Sequence, residues 1–182
     1  MRIRLFCILM VATLMTGGSA EASYKGNLEV TKAAFITNTD STDTRSLVKF
    51  ELDSTVLGMD INYAVIEVQF ATPTDSAEHF VVTLFPMKEA WSENVKWSSG
   101  LTKAGGDFHD DVGIAIPVSA KKGYKARVNI SEILQLWADS KITNNGFILV
   151  SAQKTRGTGK LQLSDGKPDN AVSGVEVRFG PK

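Results

Sequence analysis

The chain has 182 residues, with 20 Lys and Arg balanced by 20 Asp and Glu. That balance excludes a protein built to neutralise a phosphate backbone, so nucleic acid is not an expected partner. With 43% hydrophobic and 22% charged residues, the composition is that of a globular domain rather than a disordered chain.

The first element is a leader. Arg2 and Arg4 precede the apolar run Leu5 to Met15, and Thr16 to Ala22 is rich in small residues, with Ala20 and Ala22 as an A-x-A pair. Basic, apolar and small in that order is the pattern of a secretory signal peptide. The apolar run is about half of the ~20 residues that span a bilayer. Cleavage after Ala22 is therefore expected, with Ala20 as the alternative, and residues 23–182 remain as one domain. That domain carries 18 basic and 19 acidic residues, a net charge of −1, and has lost Cys7, the one cysteine. It holds together without a disulfide. The expected location is secreted: extracellular, periplasmic or cell-surface, with no membrane insertion after cleavage.

From residue 23 onward the dominant period is two. Leu28 to Ile36 is a β-leaning start, and Thr37 to Arg45 reads as a polar loop. Leu47, Lys49 and Glu51 alternate with Val48, Phe50 and Leu52, the pattern of a half-buried strand. Ala64, Ile66, Val68 and Phe70 share a face opposite Glu67 and Gln69, and Thr72-Pro73-Thr74-Asp75 closes that strand. Phe80, Val82 and Leu84 form the next, ended by Pro86; Ile114 and Ile116 form another, ended by Pro117. Ile130, Ile133, Leu134 and Trp137 break the period at i, i+3, i+4 and i+7, one face of a short helix. Asn129 or Ser131 is its expected cap. After the turn Asn144-Asn145-Gly146 comes the strand Phe147 to Ala152, and Leu161, Leu163, Val175, Val177 and Phe179 supply the last two. Eight to ten short strands separated by turn residues predict an all-β antiparallel two-sheet sandwich, a jelly roll, with one short helix near 131–138.

Several of these segments resemble one family. Ser46-Leu47-Val48-Lys49-Phe50-Glu51-Leu52 followed by Ile61 to Val68 is similar to the opening of the disaggregatase-related (DNRLRE-type) domains of secreted proteins. Trp91-Ser92-Glu93-Asn94-Val95-Lys96-Trp97, the helix-bearing Val128 to Trp137, Asn144 to Leu149 and Val175-Glu176-Val177 resemble later family segments in the right order. The likeness spans about residues 45–179, and Leu28 to Arg45 carries little of the pattern. What the resemblance implies is a jelly-roll sandwich like that of growth-factor propeptides. Such modules are non-catalytic, exported, and in some relatives attach to acidic polysaccharides.

Candidate sites follow from residue chemistry. Trp91, Trp97 and Trp137 are sugar-stacking candidates, since an aromatic face complements the C–H face of a pyranose. Large aromatics more often fill cores, and Trp91 and Trp137 are expected there, leaving Trp97 as the surface candidate. Asp107, Asp110 and Asp111 cluster beside His109 after Gly105-Gly106. Such a loop offers oxygens of the kind Ca²⁺ takes, although solvated turns use the same residues. Zinc finds only His79 and His109 and no cysteine. Lys121, Lys122, Tyr124, Lys125 and Arg127, with Lys154 and Arg156, form basic patches on a neutral protein. An anionic sugar would be held there by Lys121, Lys122, Arg127, Lys154 and Arg156 with Tyr124 stacking; solvated hairpin loops are the plainer reading.

No nucleophile elbow, phosphate loop or dinucleotide fingerprint occurs, so no enzyme activity and no cofactor are expected. The expected function is a secreted, non-catalytic module that binds acidic polysaccharide. A structural component that docks to envelope or extracellular protein is the alternative, and a hydrolase hidden on the sandwich is a minor one.

Overall fold

The computed structural model describes residues 24–28, 30–40, 43–52, 54–70, 80–118, 124–151 and 172–180. Among them lie nine strands and one α-helix. In chain order these are β1 (Tyr24–Leu28), β2 (Val30–Thr37), β3 (Thr44–Phe50), β4 (Asp60–Gln69), β5 (Phe80–Pro86), β6 (Ile114–Val118), β7 (Lys125–Asn129), α1 (Ser131–Ala138), β8 (Phe147–Ser151) and β9 (Val172–Gly180). Four strands pair in the order β1-β9-β4-β7 and five in the order β2-β3-β8-β5-β6. Every pairing is antiparallel.

Alternation decides which side chains meet between the sheets. Ala64, Ile66 and Val68 of β4 and Ala126 and Val128 of β7 face Val48 and Phe50 of β3, Val82 and Leu84 of β5, and Phe147 and Leu149 of β8, all buried in one cluster. Fully burying one large side chain of this kind is worth roughly 1.5–3 kcal/mol. This is a sandwich-like, all-β architecture with a shared apolar centre.

The helix falls on Ser131–Ala138, where the i, i+3, i+4, i+7 spacing predicts it, and buries Ile133, Leu134 and Trp137. Trp137 lies against Phe147 with ring centroids 4.8 Å apart. Its start follows expectation in part: Asn129 supplies an acceptor to the first helical N–H, whereas Ser131 does not. Ile130 occupies the cap position without a side-chain bond; the Asn129 Oδ1 accepts the Ser131 N–H at 2.9 Å. The Ser131 hydroxyl instead accepts the Ala64 N–H at 2.8 Å, so it ties the helix to β4. Gln135 does the same from the other end, accepting the Ile61 N–H at 2.7 Å and donating to the Met59 carbonyl at 3.0 Å.

One strand expectation is refined and two are revised. The β-leaning stretch Leu28 to Ile36 divides between two strands: β1, ending at Leu28, pairs with β9, whereas β2 pairs with β3 in the other sheet. β3 is not half-buried, because Leu47 on its outer side is as inaccessible as Val48 and Phe50 on its inner side. Lys125 to Arg127 is not a loop but part of β7, with Ala126 and Val128 pointing inward and Lys125, Arg127 and Asn129 outward. The strand expected around Leu161 and Leu163, and the turn at residues 72–75, lie outside the described residues.

Two sheet edges are notable. β6 has Pro117 one residue before its end, and β7, which among the described residues pairs only with β4, carries Lys125 and Arg127. Proline and outward charges both discourage further strand pairing.

Candidate functional site

The two sheets differ on their outer faces. The outer face of the five-stranded sheet is roofed by residues 87–113. Met87, Trp91 and Val95 pack on Ala34, Ile36, Leu47 and Ile148 as a second buried cluster, with Phe85, Trp97, Leu101 and Phe108 at its border. This roof explains the inaccessibility of Leu47. It is pinned by polar contacts: the Trp91 indole N–H donates to the Asn145 carbonyl at 2.8 Å, and the Asn145 amide donates to the Lys88 carbonyl at 3.0 Å. The Glu89 carboxylate accepts the Thr102 N–H and hydroxyl, each at 2.6 Å, and the Asp107 N–H at 3.1 Å.

Arg45 of β3 is central to that layer. Its Nη1 donates to the Gly105 carbonyl at 2.7 Å, and its guanidinium lies 4.6 Å from the Trp97 ring centroid and 5.9 Å from that of Phe108. Trp97, the expected surface platform, is thus half-buried, with Arg45 over its ring. Gly105, at φ 80°, lies so close that a Cβ there would sit 2.8 Å from the Trp97 ring. Trp91 and Trp137 are core residues, as expected.

The acidic loop is engaged by lysines. Lys103 Nζ lies 3.0 Å and Lys88 Nζ 3.9 Å from the same Asp107 oxygen. The Lys103 hydrogen bond, helped by both ammonium charges, holds the Asp107 carboxyl below its ordinary value. Asp110 and Asp111 open a short 3₁₀ turn, Asp110–Val112. Among the described residues no group of three or more His, Cys, Asp or Glu side chains is placed to hold a metal ion.

The outer face of the four-stranded sheet presents a different surface. On this outer face Lys125 and Arg127 of β7 are exposed, Tyr63 and Glu67 of β4 are half-buried, and Val65 between them is buried. Glu67 stands opposite Arg127 in the ladder, and Gln69 opposite Lys125. Lys125 reaches diagonally to Glu67 at 2.7 Å, and Arg127 Nη2 lies 3.4 Å from the Tyr63 hydroxyl. An aromatic ring, two cations, a carboxylate and an amide therefore share one face. Arg127 is the one expected cation among the described residues; Lys121, Lys122, Lys154, Arg156 and His79 lie outside them.

Tyr124, the expected stacking ring, is half-buried and stacked on Phe70 at a centroid separation of 6.5 Å. Tyr63 is instead the aromatic that accompanies Arg127. Sequence reasoning missed it, although Tyr63 shares the parity of Glu67 and Gln69. That alternation was the available signal.

Compared with protein-family models and with curated proteins, the chain matches none.

Proposed function

We propose that this chain is an exported, non-catalytic jelly-roll module that binds acidic polysaccharide through the outer face of its four-stranded sheet. The observation that carries the reading is the contrast between the two faces. One is roofed by residues 87–113, and the other exposes Lys125 and Arg127, with Tyr63 beside them. A saccharide lying across β4 and β7 meets cations for its carboxylates, and Glu67 and Gln69 as hydrogen-bonding partners for its hydroxyls.

The strand order supports the jelly-roll reading. With β2 set aside as an added edge strand, the remaining eight strands pair as first-eighth-third-sixth and second-seventh-fourth-fifth. That is the order of two interlocked Greek keys. The basic, apolar and small order of residues 2–22 supports export.

The test is retention of the protein on alginate and pectin against neutral glucans, at low and high salt. Binding should weaken as salt approaches ~1 M, where charges are screened beyond ~3 Å. The double variant Lys125→Ala and Arg127→Ala should lose most retention, and the five-cation variant at Lys121, Lys122, Arg127, Lys154 and Arg156 should lose it as well. Failure of the unaltered protein to bind any acidic glycan would transfer the reading to a protein-docking component.

A further inference from the structure

The strongest feature outside the sheet face is at the C-terminal end of α1. Two adjoining open cavities, about 620 and 380 Å³, meet there and share Leu57 and Ser140 in their walls. The larger continues along Gly58, Ala138 and Lys141, and the smaller over Lys49, Glu51 and Ile142, with Trp137 in its lining.

Local sequence builds this cleft. α1 ends in a paired motif: the Ser140 N–H donates to the Trp137 carbonyl at 3.0 Å and the Lys141 N–H to the Leu136 carbonyl at 2.9 Å. This is a Schellman ending, whose residue in the left-handed region is usually glycine. Here that residue is Ser140, at φ 55°, the one residue other than glycine with positive φ among the described residues. The turn after Ser54–Val56 closes the opposite wall, its Gly58 N–H donating to the Ala138 carbonyl at 2.9 Å. It holds out Leu57, which is 51% exposed.

Three observations converge. Ser140 keeps a side chain where glycine would relieve strain, and strained residues concentrate at ligand sites. Leu57 is a large apolar side chain left in water beside it. Trp137, only 2% exposed, has an indole N–H that finds no acceptor among the described residues, and a buried donor without a partner is costly.

The cleft's chemistry narrows the ligand. Apolar Leu57 and Ile142 alternate with hydroxyl and amide groups, which disfavours a lipid chain. Its charges are balanced, Lys49 beside Glu51, and Lys141 bonded to Asp139 at 3.0 Å, which disfavours an ion. A neutral, hydroxylated ring satisfies both conditions, with C–H edges for Leu57 and oxygens for Ser140, seated over the buried Trp137 in the cleft wall.

We infer that the cleft at the C-terminal end of α1 is a binding site for one neutral sugar ring, with Ser140 retained in its strained conformation for that ligand. The site shares no residue with the sheet face and does not rest on that reading.

The experiment is a titration of the full chain with the methyl glycosides of glucose, galactose and mannose up to ~50 mM, well above a weak ~1 mM affinity, followed by proton–nitrogen correlation spectra. At least one glycoside should shift the Trp137 indole resonance, assigned through Trp137→Phe, together with the amides of Leu57 and Ser140. Ser140→Gly should raise the melting midpoint by a few degrees and weaken binding at least fivefold, a pairing that unfolding cannot mimic. Leu57→Ser should weaken binding similarly, whereas the Lys125→Ala and Arg127→Ala double variant should bind the glycoside normally. Absence of shifts with all three glycosides, or unaltered binding by Ser140→Gly, overturns the inference.

Discussion

The two apolar clusters of this molecule are built in different ways. The inner one is sheet against sheet, sealed at one end by α1, and among the described residues its members come mainly from six strands and the helix. The outer one is sheet against an irregular layer, residues 87–113, held by few strand bonds and by particular polar contacts at Arg45, Glu89 and Asn145. Sheet-on-sheet packing spreads its stability over many ladder bonds; the roof depends on a handful. Local opening draws on regions with fewer cooperative contacts, so the roof should open before the sandwich does.

Ways to break that comparison run from core to surface. Trp137→Ala should cost about 3–5 kcal/mol, the range for removing a buried tryptophan, and should lower the whole denaturation curve. An unchanged midpoint would contradict its place against Phe147. Trp91→Ala removes a residue of similar size from the outer layer, but its cost is limited by the free energy of opening that layer. Far-ultraviolet circular dichroism should keep its β signal while amide exchange accelerates across residues 88–113. Equal acceleration in β4 and β7 would show that the two clusters form one cooperative unit.

Arg45→Ala should cost about 2 kcal/mol, since it leaves the part-buried Gly105 carbonyl without its donor and uncovers Trp97. Denaturant unfolding measures the loss, and the Trp97 emission should shift toward that of a wetter indole. Exchange of Lys125 and Arg127 for alanine should change stability by under ~0.5 kcal/mol, as expected of exposed positions, even where it abolishes glycan retention.

The smallest effect concerns pH. The Asp107 carboxyl titrates below its ordinary 3.8 in the folded protein, so the unfolded chain binds that proton more readily. Its contribution is therefore present above pH ~4 and is lost as pH falls through the folded value. Lys103→Ala should flatten this acid limb in a stability-against-pH series, leaving the neutral region nearly unchanged because the pair is exposed.

How much of this was legible in sequence follows from the range of the interactions. Alternation along Ala64, Ile66 and Val68 is a local signal and points correctly to the inner face, as does the helical spacing of Ile130 to Trp137. β7 obeys the same rule at Ala126 and Val128, yet the charges interleaved with them read as a loop. The second burial of Leu47 is set by Trp91 and Val95, more than forty positions away, so no local period reports it. The same distance hides the Arg45–Trp97 contact that covers the expected platform. At the candidate sheet face, Arg127 stood out by charge. Tyr63 became its neighbour only through the pairing of β4 with β7, and the cleft beside Ser140 needed a backbone angle that side-chain patterns do not encode.

The charged edge at β7 has a consequence for colloidal behaviour. An unpaired strand edge is a template on which a second molecule can add its own strand, and such addition propagates into aggregates. Pro117 interrupts that templating on β6, and on β7 the work falls to Lys125 and Arg127. Where copies of the chain meet at high concentration, those two charges oppose edge-to-edge pairing at β7. Removing them to test glycan binding also removes a guard against self-association. Light scattering on the double variant should therefore accompany every retention assay, with Gln at both positions as the companion substitution.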